Sequence, residues 1–204
     1  MVCPVYVKNY SAPTVKAKEI MRYVGVREES LQINSLIKEC LNELGDKLCY
    51  KVCFSEYPIE VNGDNVDLTF TTTTSKDLAK TLKGCEKVIV FCATVGIGVD
   101  RLIAKYNALS PTKALMFQAI GAERIESLCN LFASEINKKY KLTKPRFSAG
   151  YGDLSLQLQT EIFNALNCNK NVGVSLNQSL LMLPSKSVTA IIGVSGDLEL
   201  ADND

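Results

Sequence analysis

Histidine and tryptophan are missing altogether from these 204 residues. Without an imidazole there is no Ser–His or Cys–His nucleophilic dyad, no histidine base and no histidine metal ligand. An excess of either charge is missing too. The 23 Lys and Arg stand against 22 Asp and Glu, a formal charge of +1. No basic footprint therefore exists for wrapping a nucleic acid. The longest nearly uncharged apolar run, Val88 to Val99, is twelve residues, where a membrane-spanning helix takes about 20. Met1 to Tyr10 shows no basic segment followed by an apolar one, the pattern of a secretory signal. The expectation is a cytoplasmic protein that engages neither nucleic acid nor membrane.

Paired cysteine spacings are the next absence. Eight cysteines are scattered along the chain and no two form a CxxC. They read as reduced, mostly buried thiols packing as small hydrophobes. Zinc and iron–sulfur sites take tighter pairs, so no metal is expected. Hydrophobic residues are 47% and charged residues 22%, the balance of an ordinary globule whose length allows one core-forming domain.

The pattern along the chain is mixed. A helix is predicted from Ser11-Ala12-Pro13 to Gly25 and a second from Glu29 to Leu44, closed by Gly45. Strands are predicted over Leu48–Tyr57 and Val66–Thr72, and a short helix capped by Ser75 runs to Leu82. Lys87–Thr94 reads as a strand apolar on both faces. Val99–Asn107 and Thr112–Lys139 read as helices broken at Ser110-Pro111, the longer striped by Ile125, Leu128, Phe132 and Ile136. A loop covers Leu142–Gly152, Asp153 caps a helix to Leu166, and Ser179–Leu183 and Val188–Val194 are late strands. This order lacks a clean βαβ alternation, so the fold class is α+β. The expected organisation is one unit over 1–204: helices and strands in 1–110, the long helix and late strands in 111–194, an acidic tail in 195–204.

Three stretches are candidates for chemistry. Thr94-Val-Gly96-Ile-Gly98-Val-Asp100 lies between a strand and a helix, where glycines let a phosphate approach backbone amides. However, Arg101 occupies the third glycine position of a dinucleotide fingerprint, and a tight turn accounts for the rest. Lys144-Pro-Arg146-Phe-Ser148-Ala149-Gly150-Tyr151-Gly-Asp153 gathers a fixed guanidinium, small residues and a phenol ahead of a helix. Arginine binds a carboxylate bidentately, the small residues admit a ligand to backbone groups, and tyrosine offers a flat face. That suits a zwitterion bearing a flat base, and an ordinary loop with a surface arginine stays open beside it. Pro184-Ser-Lys-Ser187-Val188 reads as a turn.

Arg146-Phe-Ser-Ala-Gly150-Tyr151 resembles the R-x-x-x-G-Y signature of the activation domain of cobalamin-dependent methionine synthase. Gly173-Val-Ser-Leu-Asn-Gln-Ser179 and Pro184-Ser-Lys-Ser187-Val188 resemble that family's next two motifs in order. Arg22-Tyr-Val-Gly25 and Ala93-Thr94-Val-Gly96 resemble its free-standing relatives. The resemblance implies a C-shaped body with a twisted antiparallel sheet that binds S-adenosylmethionine and contacts cobalamin in trans. Arg146 would hold the ligand carboxylate. Ser148, Ala149 and Gly150 would meet the nucleoside, and Tyr151 would face the cobalamin. Backbone at Ile192 and Gly193 would add contacts, with Glu126 or Glu123 approaching from the long helix.

The implied partner is a corrinoid methyltransferase or methionine synthase lacking its own activation domain, with a flavodoxin- or ferredoxin-type reductant. The chain has no histidine to replace the lower cobalt ligand, so it is not the corrinoid module itself. No catalytic residue is implied, because sulfonium methyl transfer to a cobalt nucleophile takes positioning and exclusion of water more than proton transfer. Ala149 stands where the family has proline, and Ile192-Gly193 where it has aromatics. These departures leave open a docking module that contacts the corrinoid protein and binds no S-adenosylmethionine.

Overall fold

The computed structural model describes residues 3–197. Five antiparallel strands form the main sheet, in the order β1 (Tyr6–Tyr10), β2 (Tyr50–Pro58), β6 (Lys87–Thr94), β10 (Ser187–Asp197) and β7 (Tyr140–Thr143). A small sheet holds β3 (Glu60–Asn62), β4 (Asn65–Asp67) and β5 (Thr72–Thr74), and a two-stranded ribbon holds β8 (Ser175–Leu176) and β9 (Met182–Leu183). The helices are α1 (Ala17–Val24), α2 (Leu31–Leu44), α3 (Lys76–Thr81), α4 (Gly98–Leu109), α5 (Pro111–Lys139), α6 (Leu158–Leu166) and α7 (Cys168–Val172). This is the α+β, mainly antiparallel architecture expected. No helix among the described residues is long and apolar enough to cross a membrane.

The central strand organises two cores. Alternate residues of β6 point to opposite faces. Ile89, Phe91 and Ala93 pack with Phe117, Ile120, Leu128 and Phe132 of α5. Val88, Val90 and Cys92 pack with Leu78 and Leu82 from the α3 region and with Leu158, Ile162 and Leu166 of α6. Every residue from Val88 to Ala93 is fully buried, which explains a strand with no polar face.

Several elements depart from the expected spans. The first helix begins at Ala17, because residues 13–16 are tied to α5 instead. The Arg124 guanidinium donates to the carbonyls of Pro13 (2.5 Å) and Thr14 (2.9 Å), and the Lys16 amide donates to Glu123 (3.3 Å). The predicted strand 66–72 is two short strands. Asp67 accepts from the Thr69 amide at 2.7 Å and Thr69 takes φ +69°, so the chain turns there. Asp153 does not cap its own helix. Its carboxylate receives the Ser75 hydroxyl and the Lys76 and Asp77 amides, so it caps α3 from across the fold, and α6 starts only at Leu158. The predicted loop after α5 begins as β7, and the predicted strand 179–183 is only Met182–Leu183. The last strand runs on through 195–197, beyond the expected Val194; the rest of the expected tail, 198–204, lies outside the described residues. Strands β1, β3 and β8 and helix α7 were not foreseen.

Glu123 and Arg124 are 1% and 2% exposed. Arg124 donates Nε and Nη2 to the two carboxylate oxygens (2.6 and 2.8 Å), and Ser127 Oγ adds a third bond at 2.6 Å. Removing one partner strands a buried charge, so Arg124→Met is expected to lower stability by about 3–5 kcal/mol, with the double variant Glu123→Gln plus Arg124→Met recovering a large part; urea unfolding of the single and double variants measures both. A second expectation concerns acid. The hydrogen bond from Ser75, with those from Lys76 and Asp77, holds the Asp153 carboxyl below its ordinary value. A carboxyl depressed on folding adds stability above its unfolded pKa of about 3.9 and loses it as pH falls through the folded value. Thermal midpoints should therefore separate wild type from Asp153→Asn at pH 7 and converge in strong acid.

Candidate functional site

The stretch 144–154 is laid against β10 by backbone hydrogen bonds. The Lys144 amide donates to the Gly193 carbonyl (2.8 Å), and Phe147 and Ile191 exchange both bonds at 2.9 and 2.8 Å. Ser148 Oγ donates to the Thr189 carbonyl at 2.8 Å. The chain then turns sharply: the Tyr151 amide donates to Ser148, and the Gly150 amide to Leu154 (3.1 and 2.9 Å). Gly150 takes φ +85°, a left-handed conformation, and a Cβ there would come 3.1 Å from Leu156.

This arrangement aims two side chains. Tyr151 stands in solvent, 72% exposed. Arg146 turns toward α5 and donates Nη2 to Glu126 Oε2 (3.0 Å) and to Asn130 Oδ1 (3.2 Å). Glu126 and Asn130 in turn line a cleft of about 300 Å³ between α1 and α5, with Lys16, Glu19, Arg22 and Tyr23 opposite. That is the lower end of the roughly 300–1,000 Å³ typical of small-molecule sites. Its lining mixes carboxylates, cations and one aromatic ring. Arg22 is itself tied to Glu19 through Nη2 at 2.8 Å, while Glu126 stays partly open to solvent.

The predicted residues thus fall into three groups. Arg146 and Glu126 meet directly. Ser148, Ala149, Gly150 and Tyr151 form the adjoining turn. Ile192 and Gly193 lie on β10 beside 144–146, away from that turn: Ile192 is buried and opposite Ile89, and a Cβ at Gly193 would come 2.7 Å from Cys85 and Leu82. Glu123, the alternative to Glu126, is saturated by Arg124, Ser127 and Lys16, which leaves Glu126 as the carboxylate with free capacity. Sequence reading missed Asn130, Lys16 and Tyr23. Asn130 lies four residues from Glu126, one helical turn on the same face, a signal that was available; Tyr23 stands within the Arg22-Tyr-Val-Gly25 motif, and Lys16, just before α1, carries no signal.

The glycine turn 94–100 has a different use. A Cβ at Gly98 would run into the Lys47 carbonyl oxygen, and one at Gly96 (φ +80°) would come 2.6 Å from Cys49 Sγ. The chain's own 47–49 segment fills the space that a phosphate would need.

A solved structure, described as the MetH reactivation domain bound to AdoHcy, superimposes on this chain with a TM-score of 0.71. The match covers 96% of this chain and 80% of that one at 16% identity. The chain has the reactivation-domain fold. No family model matches it, and no curated protein matches in sequence.

Because Gly98 is packed under backbone, Gly98→Ala should cost about 1–3 kcal/mol by overpacking, read from urea unfolding; an unchanged midpoint would mean that the turn is open.

Proposed function

We propose that this chain binds S-adenosylmethionine in the α1–α5 cleft and presents it to a corrinoid held by a partner methyltransferase, supporting return of inactive cob(II)alamin to methylcobalamin. The observation that carries the reading is the contact of Arg146 with Glu126 and Asn130, two residues that line the cleft. The guanidinium already donates to a carboxylate there, and the amino-acid end of the ligand brings such a carboxylate. The reactivation-domain fold and the AdoHcy held by its structural neighbour support the same ligand.

The residues fit this group. Arg146 takes the ligand carboxylate, releasing Glu126 toward the ammonium or sulfonium charge. Asn130, one turn along α5, accepts a second bond from the same Nη2 and so steadies the guanidinium. The nucleoside lies toward the 148–150 turn, which follows Arg146 directly in sequence and is fixed against β10. When bound, the ligand supplies an activated methyl group; a flavodoxin- or ferredoxin-type protein supplies the electron. What the chain contributes is orientation and exclusion of water, which needs no acid or base.

A partner would meet the turn at Tyr151, 72% exposed, and at Leu156, which lies against Gly150 and is 43% exposed. A second reading, a docking module with no nucleoside, is favoured by one observation: Arg146 already holds a carboxylate from its own chain.

Isothermal titration with S-adenosylmethionine and S-adenosylhomocysteine decides between them. Binding is expected, weakened about 10- to 100-fold in Arg146→Ala, the loss of a charged hydrogen-bond pair. No heat at millimolar ligand, together with capture of a corrinoid protein, selects the docking module.

A further inference from the structure

The lysines of α3 do not share the ion pairing found elsewhere on this surface. Lys8, Lys105, Lys113 and Lys139 each hold a carboxylate of the chain at 2.6–2.8 Å. Among the described residues, no ion pair engages Lys76, Lys80, Lys83 or Lys144. Three of these four line one groove. It has a volume of about 600 Å³, lies between α3 and the β3–β4 turn, and extends to Gly84 and Cys85. Lys144 stands at that end: a Cβ on Gly193 would come 3.3 Å from Lys144 Cγ and 2.7 Å from Cys85 Sγ, so both side chains lie against the same glycine.

Charge and lining narrow what such a groove takes. Three ammonium groups face one carboxylate, Asp64, in a chain whose formal charge is only +1. Lys76 and Lys80 are one helical turn apart, about 6 Å along the axis, and Lys83 follows the helix. Positive charge is thus spread in a row and not gathered around a single anion. The row has no arginine, so it lacks the planar fork that grips phosphate from two sides, and each lysine acts as a point charge. Much of the remaining lining is apolar. Ala79 and Leu82 are buried, and Val61 on the outer strand β3 is 42% exposed. A row of point charges beside apolar side chains matches a peptide with spaced carboxylates and aliphatic groups between them. A nucleic acid offers phosphates and no aliphatic groups.

The groove also adjoins the signature stretch at both ends. Lys144 stands two residues before Arg146. At the other end the Lys76 and Asp77 amides donate to Asp153 (2.8 and 3.3 Å), and a Cβ on Gly152 would run into Asp77 Oδ2. A protein seated on the turn at 150–153 therefore meets the lysine row as well.

We propose that the α3 groove docks an acidic segment of a protein partner, one that carries aliphatic side chains among its carboxylates. The carboxylates pair with Lys76, Lys80 and Lys83, and the aliphatic groups cover Val61, Ala79 and Leu82. These pairs form at a solvent-exposed rim, so they set the encounter rate and its salt dependence more than the tightness of the complex. Nucleoside binding plays no part in this contact.

Fluorescence anisotropy of a labelled peptide of repeated Leu-Glu-Glu, titrated with the intact chain, tests the proposal. Saturable binding is expected. It should weaken by roughly 10-fold or more as salt rises from about 0.1 to 1 M, where the Debye length falls from about 10 to 3 Å. Lys80→Glu with Lys83→Glu should weaken it by roughly 10-fold. Lys38→Glu with Lys170→Glu, a pair of exposed lysines elsewhere, should bind as wild type. Circular dichroism melting checks that each variant folds; Lys83→Gln, which lies outside the helix, gives the same readout at about 3-fold should the double variant melt early. Four results would each overturn the proposal: no binding at millimolar peptide, equal losses in the two double variants, displacement of the peptide by oligothymidylate or phosphatidylserine vesicles at lower concentration than by unlabelled peptide, and binding about 10-fold tighter after Glu199→Gln, Asp202→Asn and Asp204→Asn. The last would mean that the chain's own acidic residues compete for the groove. S-Adenosylmethionine enters none of these measurements, so failure of the ligand reading leaves them intact.

Discussion

A glutamate and an arginine adjacent in sequence, both shut away from water inside a 29-residue helix, carry the arrangement that the rest depends on. Burying two charges is costly unless every lone pair and proton is used. Here the glutamate takes the arginine fork, a serine hydroxyl and a backbone amide, and the arginine reaches two carbonyls before α1. The pair therefore ties the N-terminal segment across to α5. Because that tie fixes where α1 begins, it fixes one wall of the cleft. The opposite wall follows from α5 itself, where Glu126 and Asn130 lie one turn apart and meet Arg146.

The second constraint is β6. It has no polar face, so both sides of the sheet must be covered, and the chain supplies α5 on one side and the α3, α6 and α7 group on the other. The signature turn is seated on β10 and packs on the α3 and α6 side, while Arg146 just before it reaches across to α5. Two directions are served from one edge: Arg146 turns to Glu126 and Asn130, Tyr151 outward to solvent.

Much of this was legible in the sequence, and the reasons differ by element. The apolar run of β6, the stripe on α5 and the Ser75 cap are local signals, and the structure uses Ser75 as an N-cap, together with Ser30 and Ser110. Asp153 looked like another cap, and it is one, for a helix more than 70 residues earlier. A cap names the chemistry of a position but not which amides will arrive there. The start of α1 was misplaced for the same reason, since the groups holding 13–16 come from residues 123 and 124. Strand β1 has little burial, with Tyr6 and Val7 about half exposed, so no alternation advertised it. The Arg146 cluster was legible as chemistry. Its geometry was not, because the carboxylate that answers the guanidinium is placed by packing.

The twin bonds between Phe147 and Ile191 make the arginine-bearing stretch an extra rung of the main sheet. A loop free in solution would give up conformational entropy on closing around a ligand, at roughly 1–2 kcal/mol per residue fixed. Here that ordering is completed during folding. On the proposed function, affinity at this edge is governed by what water and Glu126 must relinquish at the guanidinium, because the arginine-bearing stretch is already ordered.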